Sequence, residues 1–548
     1  METPKNSLSR EYEKRLEQLS PFEIKNELIA MAEENARTSS ATFLNAGRGN
    51  PNWIESDARE AFFLLGSFGI DECKRVRHEE PGIAGIPSRT GCAERFAEFL
   101  TANADRPGAV FLRKAWDYMV KKLGADPDGL AYEWAEGVIG DQYPTPPRIL
   151  KYTEMAIRPY LAQELGNLAP GGGKELDLFA VEGGTAGMCY VFDSIQANHL
   201  VNRGDRIALM APLFTPYIEI PKLERFSFDV INVSANKVDE NGYHYWQYPD
   251  SELDKLRDPA VKLVCLINPS NPPSYRLSDH DIDRLVDIVR NDNPNLLIIS
   301  DDGYGTFAKD YRSLLYVLPQ NTLSVYSFSK YFGATGWRLS VVAAAKDNIF
   351  DAMIARLSPG LKADLDKRYS SLTLDVQSLK FIDRMVADSR DVALNHTAGL
   401  SLPQQTQMSL FAIKCLMDTD NVYKGKMQAM IAKRLKALWD NTGFELPFDP
   451  TRVGYYSEID FMVWAKKIYG ADFATWLAGA HNPLDVTLRL ARETAVVVLN
   501  GSGFNGPEWS IRISEANLGS NEYVVIGKKI RQILDGYYAE YKQNTAGK

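Results

Sequence analysis

Short apolar segments alternate with stretches of helical character between residues 145 and 345, and this alternation restricts the fold more than any other feature. Strands that alternate with helices form a mostly parallel sheet that lies between helices. The carboxyl ends of such strands meet at one edge, where α/β sheets bind ligands. The sequence therefore predicts an α/β fold, with a ligand site that follows its strand segments, which are residues 178–181, 206–210, 263–267, 296–300 and 322–326.

The last of these segments leads into a glycine-containing loop that carries Ser327, Lys330 and Arg338. A lysine amine bonds covalently to an aldehyde cofactor, and a hydroxyl together with an arginine can hold the phosphate of that cofactor. Because short patterns also arise by chance, a surface lysine in a polar turn is the alternative for this loop by itself. The spacing indicates an aldehyde cofactor that carries a phosphate group.

Carboxylate and amide side chains follow the two preceding segments. Asp301 and Asp302 come directly after one of them, and Tyr304 lies two residues further on. A carboxylate in this place can bind a ligand, and it can equally cap a helix or close an Asx-turn. Asn271 lies in the sequence Asn-Pro-Ser-Asn-Pro-Pro-Ser after the other segment, where a plain Asn-Pro turn is the alternative to a ligand contact.

Three further groups belong to the same pattern. Gly184 and Thr185 lie in a glycine-rich turn between a strand segment and a helix, where backbone N–H groups bind anions. Phe214 follows another segment and offers either a stacking face or a core side chain. Arg512 lies among apolar neighbours in an alternating segment, and its planar fork suits bidentate capture of a carboxylate. A structural ion pair is the alternative for Arg512.

The order and spacing of these groups resemble the aspartate aminotransferase-like enzymes of fold type I, which depend on pyridoxal 5'-phosphate. The resemblance implies that the cofactor is bonded to Lys330, which is also the catalytic base. It implies that Asp301 contacts the pyridine nitrogen, with Tyr217 behind it, and that Asp302 is a capping residue. The other cofactor contacts that it implies come from Gly184, Thr185, Phe214, Asn271, Tyr304, Ser327 and Arg338.

The resemblance also implies contacts beyond one cofactor. Arg512 is expected to bind the α-carboxylate of an amino acid substrate, and Tyr143 to reach the cofactor phosphate of a neighbouring subunit. A homodimer is then the minimum assembly, and a larger homo-oligomer is expected. The implied architecture has a large domain at residues 131–395 with a mostly parallel seven-stranded sheet flanked by helices. An α+β small domain follows at 396–548, and residues 1–130 supply an arm, part of the small domain and an extension.

Two long insertions distinguish this chain from ordinary aspartate aminotransferases. One spans residues 55–130, and the other follows Arg338, where residues 352–388 are expected to be mostly helical and broken at Pro359-Gly360. Together with an unusual N-terminal loop and the variant Asn-Pro turn, they resemble the aspartate 4-decarboxylases. This resemblance implies release of the β-carboxylate of L-aspartate as CO2, which yields L-alanine, with transamination as a side activity.

An aminotransferase for aspartate or aromatic amino acids is the main alternative, because it shares every cofactor contact. Arg48 and Arg390 are the candidates for the surroundings of the distal carboxylate, with Arg390 presented across a subunit interface. A decarboxylase has to hold that group weakly, because a strong bidentate arginine would stabilise the anion that is lost. The expected substrates are L-aspartate and oxo acids such as pyruvate or 2-oxoglutarate.

Composition excludes several other classes of protein. A net charge of −9 argues against nucleic acid and anionic membranes as partners, and a transcription regulator would need a basic helix-turn-helix that the N-terminal region lacks. No apolar run approaches the roughly 18–20 residues of a membrane-spanning helix. The six histidines form no metal-binding spacing, so no metal is expected. Residues 1–5 lack a signal-peptide apolar region, and Glu11, Glu13 and Glu17 argue against a transit peptide, so a cytoplasmic location is expected.

Overall fold

The computed structural model describes residues 10–17, 19–39, 41–76, 78–166, 175–240, 242–390 and 399–546. Within these ranges, seven strands form the central sheet. In chain order they are Leu176–Val181, Arg206–Ala211, Asp229–Ser234, Val261–Ile267, Leu297–Asp301, Thr322–Ser327 and Ser340–Ala345. Across the sheet their order is first, seventh, sixth, fifth, fourth, second and third.

The described strands of this sheet run in one direction, except that Ser340–Ala345 is antiparallel to both of its neighbours. Leu263 and Cys265 pack into the core on one face, and Val264 and Leu266 pack into a second core on the other. Because successive side chains of a strand point to opposite faces, an unbroken apolar segment requires cover on both sides. The predicted α/β class with a mostly parallel seven-stranded sheet is confirmed.

Helices supply this cover. Those that accompany the sheet are Lys151–Gly166, Gly184–Ala197, Pro216–Glu219, Asp250–Leu253, Asp279–Asn291, Leu314–Val317, Ile349–Ala355, Pro359–Tyr369, Phe381–Asp388, Leu402–Met417 and Val422–Thr442. The expected break at Pro359-Gly360 is confirmed, because one helix ends at Ala355 and the next begins at Pro359. The Ser358 side chain accepts a hydrogen bond from the Leu361 N–H group, and proline suits the first turn, where its missing N–H has no partner to lose.

A second, smaller set of elements lies against the carboxyl edge of the central sheet. Its antiparallel sheet consists of Leu499–Asn500, Ser510–Ser514 and Tyr456–Asp460, and Leu44–Asn45 pairs in parallel with Val496–Val497. The helices that pack on these strands are Phe461–Tyr469, Ala471–Ala480, Asp485–Thr494 and Ser520–Thr545. The strand Ser510–Ser514 carries Arg512, which lies opposite Glu458 in the neighbouring strand.

The N-terminal part of the chain is helical. After Arg10–Leu16, the helix Pro21–Thr38 packs Ile24 and Leu28 against Leu488. The predicted extension contains the helices Asp57–Arg75, Cys92–Ala102, Ala109–Asp117 and Pro127–Ile139, with a π-helical turn at Tyr118–Lys122. The predicted domain boundaries at residues 130 and 395 stay predictions. Among the helices that the structure describes, none has the length and apolar character needed to cross a membrane.

Candidate active site

A cavity of about 300 Å³ opens where the parallel strands end, and it is called here the central pocket. Five of the parallel strands contribute residues at or just beyond their carboxyl ends, and the small antiparallel sheet closes one side. The structure brings ten of the predicted site residues together around this cavity: Gly184, Thr185, Phe214, Asn271, Asp301, Tyr304, Ser327, Lys330, Arg338 and Arg512. Their individual roles stay predictions.

Lys330 occupies the floor of the central pocket, three residues after the strand Thr322–Ser327. Its Nζ donates a hydrogen bond of 3.0 Å to the Gly49 carbonyl oxygen. Enclosure in the pocket lowers the pKa of Lys330 to about 8, and the positive charges of Arg512 and Arg338 act in the same direction. A substantial fraction of this amine is therefore neutral near pH 8, as a nucleophile or general base requires.

Asp301 faces the central pocket from the end of its strand. It accepts hydrogen bonds from the Gly303 N–H group at 3.0 Å and from the Tyr217 hydroxyl at 3.4 Å. Burial raises the pKa of Asp301 to about 6, and the nearby charge of Asp302 adds to this effect. The predicted contact of Tyr217 with this aspartate is confirmed. A buried acceptor of this kind suits a cationic N–H group of a ligand.

Asp302 does not have the capping role predicted for it. Its fully buried carboxylate accepts hydrogen bonds from four hydroxyl groups, those of Ser300, Tyr311, Ser313 and Ser324. No helix begins at this residue, and the next short turn, Gly305–Phe307, has no side-chain cap. The local sequence could not reveal this enclosure, because three of the four hydroxyl groups come from residues outside the segment 300–304.

The opposite end of the central pocket is rich in hydrogen-bond donors. The helix Gly184–Ala197 begins there, next to the hydroxyl groups of Thr185 and Ser327 and the guanidinium of Arg338. Gly183 has a φ of 102°, and a Cβ at this position would lie 2.1 Å from the Arg338 Nη2 atom, so a glycine is needed for this approach. The buried Ser329 Oγ lines the same end and has no hydrogen-bond partner among the described residues.

Arg512 closes the central pocket from the small sheet and is only 2% exposed. Its guanidinium donates to Asn271 Oδ1 at 3.2 Å and to the Gly47 carbonyl at 2.9 Å, while its Nε has no partner in the described ranges. Burial raises the pKa of the neighbouring carboxyl groups of Glu458 and Glu515 to about 8, while the Arg512 charge acts against this rise. Among the described residues Arg512 donates to Asn271 and Gly47 and forms no ion pair, so the structural ion pair considered as an alternative is absent there.

Three predicted residues do not line the central pocket. Arg48 is exposed and precedes the pocket residue Gly49. The pKa of Lys25 is lowered first by the burial of Lys25 itself, then by the charge of Arg48 and then by the charge of Arg512. Arg390 is buried and donates to the Pro147 carbonyl at 3.2 Å. Tyr143 is 65% exposed. The roles predicted for Arg390 and Tyr143 involve a second subunit and stay predictions.

Sequence comparisons agree with this geometry. Residues 180–525 match the family model described as aminotransferase class I and II. Over 537 residues the chain is 45% identical to a bifunctional aspartate aminotransferase and L-aspartate beta-decarboxylase from a Pseudomonas species, a match that covers 98% of this chain and 99% of that protein. The chain belongs to the class I and II aminotransferase family. An aspartate aminotransferase from Sulfolobus acidocaldarius is 32% identical over 157 residues, which cover 28% of this chain and 37% of that protein.

Solved aminotransferase structures have the same fold. The aspartate aminotransferase from Thermus thermophilus with maleate superposes with a TM-score of 0.57 at 15% identity, covering 96% of this chain and 100% of that chain. For the aromatic aminotransferase from Pyrococcus horikoshii, the TM-score is 0.54 at 17% identity, with 92% of this chain and 99% of that chain covered. The predicted fold type I architecture is confirmed.

Class I and II aminotransferases depend on pyridoxal 5'-phosphate, and the central pocket fits this group. The donor-rich end, with Arg338 and the unpartnered Ser329 hydroxyl, suits a phosphate. At the other end, the buried Asp301 carboxylate suits a protonated pyridine nitrogen. Lys330 lies between them with an amine of lowered pKa. Among the residues that the structure describes, no group of three His, Cys, Asp or Glu side chains is arranged to hold a metal ion.

Sequence reasoning missed several residues of the central pocket. Ser329 belongs to the same loop as Ser327 and was not singled out, although its hydroxyl has the same character. Phe22 comes from the N-terminal helix and contacts Phe214 edge to face, with ring centroids 5.9 Å apart. Tyr456 begins the strand opposite Arg512. Neither Phe22 nor Tyr456 lies in a recognisable motif, so only the folded chain brings them to the site.

Proposed function

We propose that this protein catalyses the β-decarboxylation of L-aspartate to L-alanine and CO2, with transamination of aspartate as a side activity. The observation that carries this proposal is the 45% identity to the bifunctional Pseudomonas enzyme along 98% of the chain. That similarity includes most of residues 1–179, which lie outside the match to the aminotransferase family model. The similarity to the bifunctional enzyme therefore extends over the helical extension at residues 55–130.

An aminotransferase without decarboxylase activity is the second candidate. The aspartate aminotransferases from Sulfolobus acidocaldarius and Pyrococcus horikoshii match 28% and 26% of this chain. These partial sequence matches favour a shared cofactor site, which both reactions need. The remainder of the chain lies outside these two sequence matches. The two candidates differ in one product, because only the decarboxylase releases CO2 from aspartate.

We assign the residues of the central pocket to the cofactor as follows. When bound, pyridoxal phosphate supplies an electron sink for charge that develops on the substrate. Lys330 bonds to the cofactor aldehyde, and Asp301 keeps the pyridine nitrogen protonated. Phe214 stacks on the ring, while Tyr304 and Asn271 contact its phenolate oxygen. The phosphate is held by Gly184, Thr185, Ser327, Ser329 and Arg338, joined across the subunit interface by Tyr143.

The substrate is an amino acid with two carboxylates, and the charges around the central pocket suit it. Arg512 has a buried guanidinium whose Nε has no hydrogen-bond partner among the described residues, and it holds the α-carboxylate in a bidentate contact. The neutral amine of Lys330 then removes the Cα proton. Lys25 and Arg48 carry positive charge next to Arg512, which favours a second carboxylate at the mouth of the pocket.

Release of CO2 requires that the distal carboxylate is held loosely. Arg48 is exposed and Lys25 is only partly buried, so water screens both charges. Weak contacts of this kind attract the β-carboxylate without stabilising it as strongly as a buried bidentate arginine would. Arg390, contributed across the interface, is the other group that we assign to the surroundings of this carboxylate.

We further propose that the protein is a homodimer or a larger homo-oligomer, and that it acts in the cytoplasm on L-aspartate and oxo acids.

The test uses purified protein with pyridoxal phosphate, L-aspartate and pyruvate, and measures CO2, alanine and oxaloacetate. We expect CO2 and newly formed alanine in equal amounts, with little oxaloacetate. Oxaloacetate without enzymatic CO2 would instead support the aminotransferase. Light scattering of the same sample measures the size of the assembly.

A further inference from the structure

Tyr456 is a central pocket residue to which no role has yet been assigned. It begins the strand Tyr456–Asp460 and is only 2% exposed. Its hydroxyl oxygen lies 2.9 Å from the hydroxyl oxygen of Tyr304, and its ring lies 4.5 Å from the Arg512 guanidinium. Tyr456 therefore contacts two residues that we assign to cofactor and substrate.

The Tyr456 hydroxyl also faces the reactive lysine. A Cβ on Gly49 would lie 2.2 Å from the Tyr456 hydroxyl oxygen and 3.5 Å from Lys330 Nζ, so both groups point at the same place. Only a residue without a side chain leaves this space open. The hydroxyl and the amine are thus neighbours around the region where the proposed function puts the reacting carbons of the substrate.

Two neighbours favour loss of the Tyr456 proton. Burial raises the pKa of Tyr456, whereas the Arg512 charge and the hydrogen bond with Tyr304 act against this rise. The Arg512 guanidinium and the Tyr304 hydroxyl thus lie where they stabilise a Tyr456 phenolate.

β-Decarboxylation needs a proton at a second carbon. When the bond between Cβ and the carboxylate breaks, CO2 leaves and its electron pair stays behind, so Cβ has to take up one proton to become the methyl group of alanine. Lys330 already exchanges the proton at Cα. We propose that Tyr456 is the acid that delivers the proton to Cβ, an inference that rests on the proposed function. The resulting phenolate regains a proton from water, so each turnover consumes one proton from solvent.

The test compares two reactions of the Tyr456→Phe protein, which lacks only this hydroxyl. Loss of a general acid reduces a rate by about 10²–10⁴-fold, so we expect CO2 release from L-aspartate to fall by at least about 100-fold. Transamination of L-aspartate with 2-oxoglutarate adds no proton to Cβ, so the ratio of CO2 release to transamination should fall by at least about tenfold.

The Tyr160→Phe protein is the matched control. Tyr160 and Tyr326 form another buried pair of hydroxyl groups, 2.6 Å apart, that does not line the central pocket. Both activities of this control should match wild type. If Tyr456→Phe lowers decarboxylation and transamination equally, or neither, then Tyr456 only positions its neighbours or has no role, and the inference is overturned while the proposed function stands. A wild-type protein that releases no CO2 would overturn both.

Discussion

Asp301 and Asp302 are consecutive residues at the end of one strand, yet their carboxylates have opposite surroundings. Asp301 lines the central pocket, whereas Asp302 is enclosed by the hydroxyl groups of Ser300, Tyr311, Ser313 and Ser324. Successive side chains of a strand point to opposite sides, so one strand end supplies both a ligand contact and an anchor for its own loop. The buried charge of Asp302 also helps to raise the pKa of Asp301.

This arrangement predicts different defects for the two Asp→Asn substitutions. Asp301→Asn removes the charge that we pair with the pyridine nitrogen, so cofactor affinity and turnover should fall at least about 100-fold, as for a broken buried ion pair. Asp302→Asn turns two buried acceptors into one acceptor and one donor, which should cost about 1–3 kcal/mol of stability. Cofactor titration and thermal unfolding of both proteins measure these effects, and an equal loss of cofactor affinity in both would contradict the assignment.

Five of the seven strands were predictable because they are short apolar segments, and each ends within one residue of its predicted position. The strands Asp229–Ser234 and Ser340–Ala345 were not singled out. The residues that follow the strands were predictable as well, since their positions depend on strand order alone. The ten predicted residues around one cavity were chosen with the help of the family resemblance, which also implied Arg512 in the small sheet. The enclosure of Asp302 was not predictable, because Tyr311, Ser313 and Ser324 approach it only in the folded chain.

Residues from outside the strand ends were also beyond sequence reasoning. Phe22 belongs to an N-terminal helix whose packing against Leu488 depends on the C-terminal part of the chain. Tyr456 reaches Tyr304 from a position 152 residues away in sequence. Its strand, Tyr-Ser-Glu-Ile-Asp, belongs to no motif, so the hydroxyl that distinguishes Tyr456 gave no signal.

Arg512→Lys should not preserve function. Lysine retains the charge but lacks the planar fork that holds a carboxylate with two parallel hydrogen bonds. We expect kcat/KM for L-aspartate to fall by at least about tenfold for a lost charged hydrogen bond, with decarboxylation and transamination reduced together because both begin with the same binding step. Steady-state kinetics of both reactions provide the measurement, and near-normal use of L-aspartate by this protein would refute the role of Arg512.

The lowered pKa of Lys330 predicts how the apoprotein takes up its cofactor with changing pH. Only the deprotonated amine attacks an aldehyde, so uptake is slow while Lys330 is protonated and faster once the proton is lost. Because the pKa of Lys330 is about 8 rather than the ordinary 10.5, the rate should rise with pH and level off above about 8. Stopped-flow absorbance from pH 6 to 10 measures this profile, and a rise that continues to pH 10 would contradict it.

Two glycines of the lysine loop should differ in their tolerance of alanine. Gly333 has a φ of 59°, and a Cβ there would lie 1.8 Å from the Trp53 carbonyl oxygen, so Gly333→Ala should destabilise the protein by at least about 2 kcal/mol. Gly336 lies three residues further on with open space around it, which makes Gly336→Ala the matched control. Thermal unfolding of both proteins decides the matter, and equal melting temperatures would show that the loop moves away from Trp53 at little cost.

The fate of the distal carboxylate of L-aspartate tests the central claim most directly. Purified protein with pyridoxal phosphate and a small amount of pyruvate is incubated with L-aspartate labelled with ¹³C at C4, and the label is followed by NMR. We expect the label mainly in CO2 and bicarbonate while unlabelled alanine accumulates, and we expect turnover without pyruvate to slow with time. Label that remains in oxaloacetate, with no enzymatic CO2, would contradict the account and identify an aminotransferase without decarboxylase activity.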